Sequence, residues 1–202
     1  MNLDSLLTNL ESTATMNDAL TLLSQIVVDT DHALIRKLKQ IISSPETIDN
    51  TNHFASIIDF FSHDDFIPPL IKTISKAELN TSPWLSDYMY ALGSILMDRD
   101  DLWEPDEDFI HLLGNWLHST GGGEISWKAA VILAHLKHSA TRKYFLSGSV
   151  DNSLFHQTRI ACINGIMNHY PEDAPVLLKK LENDPEKEVR EEVARAIEWL
   201  KD

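Results

Sequence analysis

Cysteine is nearly absent. Cys162 is the single one in 202 residues, which excludes an intramolecular disulfide and any cysteine metal cluster. Glycine and proline are scarce, at seven and eight, too few to punctuate an all-β chain with many turns. Basic residues are outnumbered by acidic ones, 17 against 31, for a net charge of −14. Residues 1–100 hold 14 acids and 6 bases, and residues 101–202 hold 17 and 11, so the acidity belongs to the whole chain. Nucleic-acid binders draw most of their affinity from Lys and Arg on phosphate. This balance argues against nucleic acid and anionic membrane and admits a basic partner. No apolar run approaches the roughly 20 residues of a membrane span. The opening MNLDSLLTNLES has acids at positions 4 and 11 where a signal peptide has basic residues, so the expected location is cytoplasmic.

What the chain does have is 43% hydrophobic residues recurring at spacings of three and four. In 187-KEVREEVARAIEWLKD-202, Val189, Val193, Ala196, Ile197 and Leu200 form one stripe, with charges on the other faces. Upstream, 171-PEDAPVLLKKLEND-184 reads as a second helix, with Pro171, Glu172 and Asp173 as its first turn. Pro185 separates the two, so the last 32 residues (171–202) form a helical hairpin. The stretch 158-TRIACINGIMNHY-170 repeats 189-VREEVARAIEWLK-201 at an offset of 31. Arg159 falls on Arg190, Cys162 on Val193 and Gly165 on Ala196. The segments 126-SWKAAVILAHLKH-138 and 84-WLSDYMYALGSIL-96 share the small-and-aliphatic character, with partner helices at 106–119 and 66–78. Between them, 139–155 reads as a helical start followed by a loop at 147-SGS-149. Residues 1–63 carry helical cores at 17–27, 32–42 and 53–61, with Asn17 or Asp18 and Asp31 as N-caps.

The segment 184-DPEKEVREEVARAIEWL-200 resembles a HEAT-type repeat: an Asp-Pro turn, then Val-Arg, then an alanine-containing helix ending in Leu. The copy at 158–166 keeps the arginine and a small residue, and 84–96 keeps an Ala-Leu-Gly step. The resemblance implies an all-α fold, a right-handed α-solenoid of antiparallel hairpins with irregular repeats. It is clearest over residues 150–202 and extends in weaker form over 64–138; the expectation is a single domain, residues 1–202, with a divergent helical part at 1–63 and HEAT-like hairpins over 64–202. The physics agrees, because a hairpin of about 30 residues buries its stripe only against neighbours.

Catalytic signals are weak. HEAT-like metal hydroxylases carry His-Glu pairs, and none of the nine histidines here precedes Glu. HEAT-like DNA glycosylases need a basic concave face, which a charge of −14 opposes. His63-Asp64-Asp65 and Asp29-Thr30-Asp31-His32 hold hard ligands without metal spacing. His135 and His138, three apart on one expected helix, have no acid beside them. The 121-GGG-123 run lacks the Lys-Ser/Thr ending of a phosphate cradle and reads as a turn. Cys162, in an apolar run, reads as core. Trp116, Trp127 and Trp199, on or beside apolar stripes, read the same way.

Surfaces remain. The stretch 98-DRDDLWEPDEDF-109 packs seven carboxylates around one Arg and one Trp. It fails as a calcium loop, since Leu102 and Trp103 stand at the fifth and sixth positions and Phe109 at the twelfth. As a connector, Asp106, Glu107 and Asp108 suit the first turn of a helix that Pro105 opens. Asp98, Asp100 and Asp101, at a helix C-terminus, and Trp103, among charges, have no such role. The expectation is a non-catalytic binding protein, monomeric when free and without cofactor. Its partner-binding residues are Asp98, Asp100, Asp101, Trp103, Glu104, Asp106, Glu107 and Asp108, facing a basic protein. The sharpest version is an immunity protein that neutralises a cationic toxin such as a nuclease. A general scaffold and a bilin-lyase-type cofactor handler are the alternatives.

Overall fold

The computed structural model describes residues 32–48, 50–119 and 123–200. Those residues form ten α-helices and two short 3-10 turns, and no strand among them. The helix core expected at 17–27, the caps Asn17, Asp18 and Asp31, and the Asp29–Asp31 cluster lie outside the described residues. The chain divides into two compact units, residues 1–99 and 100–202. Among the described residues no helix is long and apolar enough to cross a membrane.

In the first unit, α1 (His32–Ile42), α2 (Thr51–Phe61), α3 (Ile67–Ile74) and α4 (Leu85–Met97) bury Leu38, Ile58, Leu70 and Leu92 among others. Helix α1 packs on α3, α2 on α4, and α3 on α4. Pro68 and Pro69 occupy the first turn of α3, where a missing N–H costs nothing. The Thr73 hydroxyl donates to the last carbonyl of α1, Ile42 O, at 3.1 Å.

The second unit holds three hairpins: α5 (Glu107–Leu117) with α6 (Glu124–Leu133), α7 (Thr141–Val150) with α8 (His156–His169), and α9 (Ala174–Leu181) with α10 (Lys187–Trp199). Successive hairpins touch helix to corresponding helix, α5 on α7, α6 on α8 and α8 on α10. Hydrogen bonds repeat with that step. His138 O accepts from Tyr170, 32 residues on, and Arg142 pairs with Asp173, 31 residues on. The offset of 31 seen in the sequence is therefore a contact spacing.

Several local expectations are corrected. The 147-SGS-149 loop does not form: α7 runs through it to Val150. Burial overrides the turn composition there. Gly148 lies so close to α8 and α5 that an added Cβ would sit 2.7 Å from Cys162 Sγ and 2.8 Å from Leu117 Cδ2. His135 and His138 are not on a helix. Helix α6 stops at Leu133: His135 N turns back to Ile132 O at 2.9 Å, three residues before it and not four, and two residues on Lys137 N leaves the helix for Trp103 O at 2.7 Å. Helix α9 starts at Ala174 with Pro175 in its first turn, and Pro171–Asp173 is a turn before it. Trp127 and Trp199 are not core: they are 41% and 61% exposed. The buried faces of their helices are Ser126, Ala129, Ala130 and Leu133, and Val189, Val193 and Ala196. On the last stripe Ile197 is only half-buried and Leu200 is exposed. Trp116 is buried as expected.

Cys162 is fully buried, and burial pushes its thiol far above the ordinary range. Native protein should resist iodoacetamide at mildly alkaline pH and react only as fast as the second unit opens. Stoichiometric labelling within the mixing time would contradict this packing.

Candidate functional site

The acidic stretch falls on both units, with the boundary between Arg99 and Asp100. Asp98 caps the C-terminus of α4 and accepts from the Ser62 hydroxyl, just past the end of α2. It is thus part of the α2/α4 surface. Arg99 pairs with Asp64 in the same unit. The His63-Asp64-Asp65 cluster is occupied this way: His63 Nδ1 accepts from Asp65 N at 3.1 Å, and Asp65 pairs with Lys39 at 3.3 Å. Among the described residues no group of three or more metal-ligating side chains exists.

In the second unit the connector before α5 is tied down by its backbone. Trp103 N donates to His135 O at 3.1 Å, and Trp103 O accepts from Lys137 N. These bonds form a single parallel bridge between Trp103 and Leu136. Trp103, read from sequence as stranded among charges, is half-buried and is the anchor of the connector. Glu104 pairs with Lys137 at 2.9 Å, raising the Lys137 pKa. Pro105 lies ahead of the helix, which begins at Glu107 after Asp106 as N-cap. Glu107 reaches His111 at 3.3 Å, one turn along. Asp100, Asp101, Asp106 and Asp108 are exposed. Of these, Asp100, Asp106 and Asp108 form no ion pair among the described residues.

The same edge continues through charged pairs. Arg142 Nε and Nη2 each donate to an Asp173 oxygen at 2.6 Å, and Arg142 holds the Asp173 carboxyl below its usual range. Both partners are partly exposed, so the pair orders the surface more than it stabilises the fold.

Sequence reasoning missed the polar joint inside this unit. Arg159, on α8, is 1% exposed. Its Nε donates to Ser149 O at 3.1 Å and its other nitrogens to both oxygens of Asp184, which is 6% exposed. Asp184 also accepts from Glu186 N at 3.0 Å, while its carbonyl accepts from Arg190 at 2.6 Å. One residue of the Asp-Pro turn thereby joins two successive hairpins. The signal was present in the 31-residue register of Arg159 and Arg190. The partner was not, because an aspartate 25 residues away has no visible link to an arginine until the turn is built.

No family model matches the chain, and no curated protein matches it. Among solved structures, it is similar to an engineered protein, Northeast Structural Genomics Consortium target OR329. The TM-score is 0.55 and identity 16%, covering 100% of this chain and 97% of that one. Human deoxyhypusine hydroxylase in complex with glycerol matches with a TM-score of 0.41 and 13% identity, over 98% of this chain and 96% of that one. The first similarity is one of fold alone, and an all-α fold is what the chain shares with it.

Proposed function

We propose that this chain is a non-catalytic protein-binding module, a right-handed α-solenoid of HEAT-like hairpins whose acidic surface receives a basic protein. In its sharpest form it is an immunity protein that covers the phosphate-binding surface of a cationic toxin such as a nuclease. The observation that carries the reading is the connector at 100–108. Its backbone is anchored through Trp103, and Asp100, Asp106 and Asp108 stand exposed without an ion pair among the described residues. With the connector's backbone ordered before binding, only side-chain rotamers are left to fix. The exposed carboxylates also steer a cationic partner toward the surface.

The test uses a basic protein encoded beside this chain. Co-expression should rescue cells from that protein's toxicity. Changing Asp100, Asp106 and Asp108 together to Asn should slow association about tenfold in low salt and have little effect near 0.5 M salt, where the Debye length is short. Rescue and association rates unchanged by the triple variant would remove the connector from the interface.

A further inference from the structure

Where α5 and α7 end, the second unit brings three side chains of complementary chemistry together. Gly148 permits the approach, since its missing Cβ leaves room for Leu117, the last residue of α5. His118 follows Leu117, Ser147 precedes Gly148 in the last turn of α7, and Asp151 follows that helix. His118 Nε2 lies 2.9 Å from Ser147 Oγ, and His118 Nδ1 lies 3.3 Å from Asp151 Oδ2. Asp151 Oδ1 accepts in turn from the Ser153 N–H at 3.0 Å and the Ser153 hydroxyl at 2.6 Å. The bond from the Ser153 hydroxyl outweighs partial burial and holds the Asp151 carboxyl below its usual range, so it is an anion at neutral pH. An anion only accepts, so the imidazole proton sits on Nδ1 and Nε2 keeps a lone pair. The Ser147 proton has two acceptors in reach, that lone pair at 2.9 Å and Tyr144 O at 3.2 Å, and the imidazole is the nearer. Ser147 is exposed, and the side chains of His118 and Asp151 are 32% and 33% exposed, so a reagent reaches all three.

We propose that Ser147 is an activated hydroxyl, the site at which this chain takes up an acyl group from a reactive ester or thioester. The inference goes beyond the proposed protein-binding role and does not depend on it. A nucleophile within hydrogen-bond reach of a base, with the base oriented by a third group, is the arrangement that activates a serine. Ser147 Oγ adds to the donor's carbonyl carbon while His118 Nε2 takes its proton. The donor's bond from that carbon to oxygen or sulfur then breaks, His118 returns the proton to the leaving atom, and an ester remains on Ser147. The open groups of a helix's last turn are carbonyls, so no N–H of α7 meets the donor's carbonyl oxygen as it gains charge. The donor must therefore be activated already. That makes Ser147 a site of stoichiometric modification, in keeping with a non-catalytic chain. Other exposed serines lack this setting: Ser43 and Ser75 each donate to a main-chain carbonyl one turn back, at 3.0 and 2.7 Å.

The probe is p-nitrophenyl acetate at about pH 8, where an ordinary imidazole is neutral. It is added to the full chain, and acetylation is located by peptide mass spectrometry. Ser147 should be acetylated about tenfold or more faster than Ser43 and Ser75, which serve as internal standards. His118→Ala, a change at an exposed position past the end of α5, should slow Ser147 by about the same factor. Added imidazole should restore part of that rate, which it could not do for a misfolded variant. Asp151 acts through His118 as a positioning residue. Asp151→Asn keeps an oxygen for Ser153 but turns an amide N–H toward Nδ1, which favours the tautomer that cannot take the Ser147 proton. It should slow acetylation about tenfold while leaving thermal melting unchanged, whereas a merely structural role would move the melting. Ser147 acetylated no faster than Ser43 and Ser75, or equally fast in His118→Ala, would overturn the assignment. A rate unchanged by Asp151→Asn would remove Asp151 from it.

Discussion

Replacing Asp184 with alanine should lower the stability of the second unit by about 3–5 kcal/mol, the usual cost of leaving a buried charge without its partner. For a chain of this size that is a fall in Tm on the order of 10 °C, read by calorimetry or circular dichroism. The magnitude follows from burial. Arg159 and Asp184 are both shielded from water, so neither can trade its partner for solvent. The loss is compounded by the Asp184–Glu186 bond, which shapes the Asp-Pro turn. Replacing both residues, Arg159→Met with Asp184→Ala, should cost less than Asp184→Ala alone, because no orphaned charge is left.

The pair also sets an acid limit. Burial works to raise the Asp184 pKa, but hydrogen bonds from Arg159 and Glu186 N and the nearby charges of Arg159 and Arg190 outweigh it and hold it below the usual value. A depressed carboxylate contributes stability that is complete above the unfolded pKa of about 3.9 and is lost as pH falls through the folded value. The gap between wild type and Asp184→Ala should therefore be full near neutrality and close below about pH 4. A gap below 1 kcal/mol at pH 7, or one that persists unchanged into acid, would show that this pair does not join the hairpins.

Gly165→Ala is expected to destabilise by about 1–3 kcal/mol, against its own helix propensity. In the interior of an exposed helix, Gly to Ala gains about 1 kcal/mol. Gly165 lies within α8, so local preference alone points to stabilisation. The added Cβ, however, would meet the Phe145 ring at 2.7 Å, and that ring is 0% exposed with no room to turn. Packing outweighs propensity because a close-packed interior relaxes little. At Gly114 an added Cβ would sit 2.2 Å from the Tyr144 ring, whose hydroxyl is hydrogen-bonded to His111 Nδ1 at 2.9 Å, so Gly114→Ala should destabilise as well, at the expense of that bond. A Gly165 variant more stable than wild type in denaturant titration would refute the close approach of α7 and α8.

These two residues also show where legibility ended. Periodicity placed helices at 32–42, 84–96, 106–119 and 158–170 because amphipathic stripes are local, and each helix forms within a few residues of the range read. The register of 31 was legible for the same reason: each hairpin must present equivalent groups to its neighbour. Serine and glycine at 147–149 misled, since the same residues that favour turns in solvent are chosen inside a stack for their small size. Trp127 and Trp199 misled because a one-position step on a helix turns a side chain by about 100°.

The acidic stretch divides along the same line. The sequence by itself determined its charge, its lack of calcium-loop geometry, and its place between two helices. Only the tertiary structure decided that Asp98 joins the α2/α4 surface and that Trp103 anchors the remainder to the turn after α6. It also revealed that the strongest polar joint is Arg159 with Asp184. Helices and net charge are set by neighbours within a turn or by simple addition. Partners 25 to 36 residues apart are set by which surfaces meet after each helix has buried its stripe.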